Sequence, residues 1–160
     1  MSYMHRIAAA LAVGLALFAG PAMADGKLAM IGQFSNGDTE VDVATYTAPN
    51  EKGVEERVGL IGLRVGAQRN SAAFGPAEWP ALIDLFDKAQ NAQSDSWTYV
   101  GDFTETGTSD VSHLKVSGGP GVRFIVESPA KGAFTVDLKR SDMAAFAQAI
   151  AQVKAYLGTP

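Results

Sequence analysis

The stretch "IGQFS" (Ile31–Ser35) has a second version, "VGDFT" (Val100–Thr104), with the same order of hydrophobic residue, Gly, polar residue, Phe and hydroxyl residue. Each version lies in a run whose apolar residues recur at every second position, which predicts a β-strand. The residues on the recurring face are Leu28, Met30, Gly32 and Phe34 in the first run and Trp97, Tyr99, Gly101 and Phe103 in the second. We expect this face to be buried beneath a helix in both runs.

The pattern that follows each of these strands also occurs twice. Shorter apolar runs predict three more strands in each half, at 41–47, 56–68 and 70–74 and again at 111–116, 122–127 and 133–138. Turns rich in Gly, Pro and polar residues separate the runs. Each half then ends in a segment of helical periodicity. We therefore predict two ββββα repeats, residues 25–93 and 94–160.

The two closing helices are predicted from their apolar faces and end signals. The stretch "FGPAEWPALIDLF" (74–86) predicts a helix from Glu78 to Ala92, with Pro80 tolerated in the first turn. In the second half we expect Ser141 to cap the helix and Gly158 to end it. The predicted fold class is α+β: two antiparallel sheets, each with one helix, in a single pseudo-twofold domain.

The N-terminal residues have the features of a secretory signal peptide. Arg6 precedes an apolar run at 7–18, and Ala22 and Ala24 form an A-x-A cleavage site. We predict cleavage between Ala24 and Asp25, and a periplasmic or secreted mature protein. No later segment is long and apolar enough to predict a membrane span, so we expect no integral membrane segment in the mature chain.

Composition narrows the classes of function. The chain has no Cys, which excludes thiol catalysis and zinc held by cysteine. After cleavage twelve basic and seventeen acidic residues remain, a net charge of −5. An acidic chain without a basic cluster is a poor partner for nucleic acid or anionic lipid.

Two tandem ββββα units resemble Whirly proteins and Pur-type repeats in the order of their elements. The resemblance covers nearly all of the mature chain, but no family motif is present, so no functional residue is carried over. It implies paired curved sheets, which those families use to hold single-stranded nucleic acid. This chain departs from them because it is acidic and lacks a basic groove.

Few residues suggest a site. His113, the one histidine of the mature chain, is the weak candidate for catalysis, with Ser109, Ser112 and Ser117 near it in sequence. The aromatic side chains of Trp97 and Tyr99 can stack on a ligand, or they can belong to the core. The acidic turn "NGDTEVD" (36–42) does not match a calcium loop and reads as a hairpin turn. We predict no metal and no cofactor.

The leading hypothesis is an exported, non-enzymatic protein that binds a protein or small molecule in the periplasm, through a sheet surface or an open sheet edge. A small periplasmic hydrolase that uses His113 is the alternative. Binding of single-stranded nucleic acid is a further alternative, which the acidic charge disfavours.

Overall fold

The computed structural model describes residues 26–49, 52–104 and 112–158. The predicted signal peptide (1–24) and the predicted turn at 105–110 lie outside these residues. Two helices are present, α1 (Trp79–Asn91) and α2 (Met143–Leu157), with a 3-10 turn at Arg140–Asp142 directly before α2. The strands are β1 (Lys27–Asn36), β2 (Thr39–Pro49), β3 (Glu55–Val65), β4 (Gln68–Phe74), β5 (Thr98–Thr104), β6 (His113–Gly118), β7 (Gly121–Ser128) and β8 (Gly132–Lys139).

The strands form two four-stranded antiparallel sheets, and each sheet keeps the order of the sequence. The first sheet contains β1 to β4 and is followed by α1, and the second contains β5 to β8 and is followed by α2. The predicted α+β class and the two ββββα units in one domain are therefore confirmed. No helix among the described residues is long and apolar enough to cross a membrane.

A β-bulge interrupts the first strand of each sheet at the same place in the pattern. The register shifts between Met30 and Gly32 in β1, and between Tyr99 and Gly101 in β5. The extra residue changes which face the later side chains occupy. Our prediction that one face of each run is buried throughout was therefore wrong.

The helices pack across the halves. In the first sheet, a Cβ atom added to Gly32 of β1 would lie 3.2 Å from the Cβ of Ala149 in α2, the helix of the second half. In the second sheet, a Cβ on Gly101 of β5 would lie 2.8 Å from Leu85 Cδ1 in α1. Each helix thus covers the inner face of the other half's sheet. Such an exchange ties both halves into one core.

Aromatic rings fill the centre of that core. Phe146 of α2 lies 5.5 Å from Phe34 of the first sheet and 5.4 Å from Phe124 of the second, measured between ring centroids. Trp79 is completely buried and stacks on Phe74. The apolar faces of the two helices therefore join the two sheets in one core.

The helix ends agree with the sequence in part. α1 begins after Glu78 with Pro80 in its first turn, as predicted. α2 ends at Leu157, and Gly158 follows it in the left-handed conformation, with a φ of 63°, as expected for a glycine that ends a helix. The prediction of Ser141 as the N-cap was wrong. Ser141 lies inside the 3-10 turn, and Asp142 occupies the cap position without a side-chain cap bond.

Candidate functional site

Each sheet buries one face against the helices and turns the other face outward. Cross-strand register divides each outer face into rows of neighbouring residues. In the first sheet the row just before the bulge is apolar and consists of Met30, Ala44, Leu60 and Ala73. The row beside it contains Leu28, Tyr46 and Val58. These seven residues are called the apolar patch below.

The apolar patch is buried in its middle and open at one side. Ala44, Tyr46 and Leu60 form a small buried cluster, separate from the main core. Leu28 is 40% exposed and Met30 is 44% exposed, and both belong to the edge strand β1. Among the described residues they account for two of the four large hydrophobic residues that are classed as exposed. Contiguous exposed apolar surface is one mark of a binding site.

The other end of the same outer face holds a charged cluster. Glu40 and Asp42 of β2 are only 8% and 5% exposed. Arg64 binds both carboxylate oxygens of Glu40 at 3.1 Å, and Ser35 donates to Glu40 at 3.0 Å. Arg69 Nη1 donates to Asp42 at 3.0 Å. We call these residues, with Gln33 beside Asp42, the carboxylate cluster.

The two carboxyl groups of this cluster differ in their proton affinity. Hydrogen bonding to Arg64 lowers the pKa of Glu40 below its ordinary value, against the opposing effect of burial. Burial, together with the negative charge of Glu40, raises the pKa of Asp42. The charge of Glu40 therefore disfavours the ionisation of Asp42, and hydrogen bonds already engage both oxygens of Glu40. The charged groups at this end of the face are thus hydrogen-bonded to one another, whereas Leu28 and Met30 at the apolar end remain partly exposed.

The structure also shows where the residues of the acidic turn "NGDTEVD" (36–42) lie. The turn is confined to Gly37 and Asp38, where Gly37 has a φ of 67°, and Glu40 and Asp42 belong to β2. Arginine side chains occupy the positions that a cation would take beside these carboxylates. In the described part of the chain, no group of three or more His, Cys, Asp or Glu residues could hold a metal ion.

The outer face of the second sheet is polar at the corresponding place. Its row before the bulge consists of Tyr99, Ser117, Arg123 and Asp137. Arg123 makes two hydrogen bonds to Asp137, at 2.7 and 2.8 Å. Its guanidinium also lies 4.2 Å from the ring centroid of Trp97. The charges of this row are therefore satisfied within the row.

The two aromatic candidates have different surroundings. Tyr99 is 60% exposed, and its hydroxyl donates to Asp102 at 2.7 Å. Trp97 is half-buried, with Arg123 over its ring and Gly119 close to its edge. The expectation that this aromatic face is core is wrong for Tyr99. The bulge places Tyr99 on the outer face while Phe103 packs against the core.

His113 begins β6 on the outer face of the second sheet and is exposed. Its Nδ1 lies 3.1 Å from the Oγ1 of Thr104. Ser112 is buried, Ser117 lies two rows away, and Ser109 is outside the described residues. Within the described residues, neither a serine hydroxyl nor a carboxylate hydrogen-bonds to this imidazole.

Sequence reasoning missed Leu28 and Met30, which it assigned to the core, and it did not join Glu40 and Asp42 to their arginines. The sequence signal for the exposure of Leu28 and Met30 was the Gly that follows them inside the strand pattern, because such a Gly often marks a bulge. The sequence signal for the carboxylate cluster was the spacing of Glu40 and Asp42 at i and i+2 on β2. Two residues with this spacing lie on the same face of a sheet, beside the side chains of the neighbouring strands. Comparison with protein-family models, curated proteins and solved structures finds no match for this chain.

Proposed function

We propose that this chain is an exported, non-enzymatic protein that binds a protein partner on the apolar patch of the first sheet. The observation that carries this proposal is the exposure of Leu28 and Met30 side by side on an edge strand. Burying a side chain of this size contributes about 1.5–3 kcal/mol when it becomes fully covered, and part of that remains to be gained here. The N-terminal segment supports export, and the acidic balance supports a partner other than nucleic acid.

The resemblance to Whirly and Pur-type proteins suggests that the outer sheet faces are the binding surfaces. On the outer face of its first sheet this chain carries an apolar patch and a carboxylate cluster that is paired with arginines. The proposed ligand is therefore a protein surface. The repeat plan supplies the scaffold, and the residues of one outer face supply the specificity.

Site-specific photo-cross-linking tests this proposal. A photoreactive residue is placed at position 30 of the full chain, which is expressed in its native host, and a second version carries it at position 99. The matched sites occupy the same row of the two sheets. We expect a protein adduct from position 30 that is lost in Leu28→Lys, and none from position 99. Equal adducts from both positions, or none from position 30, contradict the proposal.

A hydrolase that works through His113 is the alternative proposal. The contact between Thr104 Oγ1 and His113 Nδ1 is the observation that favours it, because a hydroxyl beside an imidazole is the start of a nucleophile–base pair. The purified protein is assayed against ester, amide and phosphoester substrates beside His113→Ala and Thr104→Val. Turnover that both changes abolish would establish the enzyme. Unchanged turnover in both removes it.

A further inference from the structure

The four sheet edges are not equally available to another chain. In the edge strand β8 the carbonyl of Asp137 accepts a hydrogen bond from the side chain of Asn36, at 3.1 Å. In the edge strand β4 the carbonyl of Arg69 accepts one from Lys131 Nζ, at 3.0 Å. Both strands are thus contacted by the other half of the molecule. Asn36 is the last residue of β1, so its contact with β8 lies at the end of β1 that is remote from Lys27–Met30. Among the described residues, no hydrogen bond from the other half reaches the main chain of β1 or β5.

The edge strands β1 and β5 differ in charge. β5 carries Asp102 near its centre, and an edge charge of this kind discourages pairing with another strand. β1 has ten residues, and its only charged residue is Lys27, at its first position. Its outer face beside the edge presents Leu28 and Met30. β1 is therefore the described edge best suited to accept an added strand.

The bulge sets the length of such pairing. It follows Met30, so the regular part of the free edge next to the apolar patch is Lys27–Met30. Pairing along this stretch uses main-chain hydrogen bonds for affinity, and alternate side chains of the added strand face the apolar patch. The added segment needs apolar residues at alternate positions and no charge between them.

A second copy of this chain is the less suitable occupant. Two mature chains of net charge −5 repel one another, whereas a segment with basic flanks is attracted. A lasting dimer also buries about 800 Å² on each partner. Two partly exposed side chains on a short regular edge supply far less than that. The charge and the area both favour a short segment of a different protein.

We propose that β1 binds an extended peptide segment of a partner protein as an added strand along Lys27–Met30. The segment carries apolar residues at alternate positions, which lie against Leu28 and Met30, and basic residues at its ends. This proposal rests on the proposed function and adds the mode of recognition and the class of ligand to it.

The test uses a pool of synthetic ten-residue peptides in which Val, Leu, Ile or Phe alternates with Thr, with a Lys at each end. The pool is titrated into the isotope-labelled protein, purified after export, and the amide signals are followed by NMR. We expect shifts and slowed exchange for amides within Lys27–Met30. We also expect Leu28→Lys to weaken binding about tenfold or more. Tyr99→Lys, in the corresponding row of the second sheet, is the control and leaves binding unchanged.

Alternate N-methylation separates main-chain pairing from apolar contact alone. Successive amides of an extended strand point to opposite sides, so only one of the two alternate sets faces β1. Methylating that set abolishes binding, and methylating the other set preserves it. Equal effects of the two sets overturn strand addition, as does a pool that binds wild type no better than Leu28→Lys.

Failure of this inference is distinguishable from failure of the proposed function. A cross-link at position 30 that depends on Leu28, together with equal effects of the two methylation sets, leaves the binding surface in place and removes strand addition. Shifts confined to β5 overturn the inference, and together with the absence of an adduct from position 30 they overturn the proposed function as well. Sedimentation of the protein alone and with the peptide pool tests for a second copy on β1. Dimers of this chain that the peptide does not dissociate would identify a second copy as the occupant and overturn the inference.

Discussion

The first and second sheets share one plan, yet the rows just before their bulges have opposite chemistry. The row of the first sheet is Met30, Ala44, Leu60 and Ala73, and that of the second is Tyr99, Ser117, Arg123 and Asp137. The first row buries apolar side chains in a cluster of its own. The second pairs its charges within the row and keeps an exposed Tyr. The first outer face therefore exposes two purely apolar side chains, Leu28 and Met30, whereas the second exposes a tyrosine whose hydroxyl is hydrogen-bonded to Asp102.

The inner faces of the two sheets do not differ in this way. Both are apolar and both meet a helix from the other half, so each inner face is constrained by packing. The outer faces carry no such constraint, and they are where the halves differ in chemistry. The shared plan of the two halves therefore stabilises the domain, and under the proposed function the outer face of the first sheet provides the binding surface.

Removing Phe146 tests whether the inner faces form one unit, and it has the largest expected effect. Its ring contacts Phe34 of the first sheet, Phe86 of α1 and Phe124 of the second sheet. We expect Phe146→Ala to lower the free energy of unfolding by about 3–5 kcal/mol, in a single transition for both halves. Urea unfolding followed by circular dichroism and tryptophan fluorescence measures this. Gln152→Ala on the exposed side of α2 is the control. Two separate transitions would show that the halves fold independently.

Alanine at the two bulge glycines compares the halves at equivalent positions. Gly101 has a φ of 155°, and an added Cβ would lie 2.8 Å from Leu85 Cδ1. At Gly32 the added Cβ would lie 2.9 Å from a ring carbon of Phe34, which is half-buried and can move. Because backbone strain and overpacking add at Gly101, we expect Gly101→Ala to cost about 2–4 kcal/mol. Gly32→Ala should cost less, as measured by thermal and urea unfolding. The reverse order would show that helix packing, rather than backbone conformation, dominates at the bulges.

The bulges also show how far the sequence predicts this fold. The eight strands and both helices follow from period and turn residues, because these signals are local. The predicted strand at 56–68 was too long, since β3 ends at Val65 and β4 begins at Gln68. The face occupied by Met30 and Tyr99 was mispredicted, because a strict period of two was assumed through Gly32 and Gly101. A bulge adds one residue, and the sequence pattern does not reveal on which side of the Gly it falls.

The exchange of helices and the carboxylate cluster lay beyond sequence reasoning for a different reason. Both depend on contacts between distant parts of the chain. Arg64 and Arg69 lie 24 and 27 residues after the carboxylates that they bind, Glu40 and Asp42. The pairing is visible only once the register of β2 and its neighbours is known. The apolar periodicity of α2 likewise predicts a buried face but not which sheet it covers.

Removing one carboxylate from each outer face compares a buried ion pair with an exposed one. Glu40 is nearly buried and accepts bonds from Arg64 and Ser35, whereas Glu127 is half-exposed and pairs with Lys115. We expect Glu40→Gln to lower the free energy of unfolding by about 1–3 kcal/mol, because buried partners lose their acceptor. Glu127→Gln should cost about 0–1 kcal/mol. Chemical denaturation at neutral pH measures both. Equal costs would remove the carboxylate cluster as a distinguishing feature of the first sheet.

The pH dependence of stability separates the two carboxyl groups of the cluster. Burial raises the pKa of Asp42 above its ordinary value, so the folded protein keeps a proton that the unfolded chain has released. Ionising Asp42 therefore lowers stability as the pH rises through the raised pKa. The pKa of Glu40 is lowered, chiefly by hydrogen bonding to Arg64. Its contribution is present above the ordinary pKa and is lost as the pH falls through the folded value.

The two variants should consequently show opposite slopes. The stability of Asp42→Asn minus that of wild type should rise with pH from the acid range towards neutrality, because the variant lacks the group whose ionisation is unfavourable. The stability of Glu40→Gln minus that of wild type should fall as the pH rises through the acid range, because the variant lacks the group whose ionisation is favourable. Urea midpoints measured across this range give both differences. Slopes of the same sign would show that Glu40 and Asp42 exchange one shared proton, so that the titration belongs to the pair.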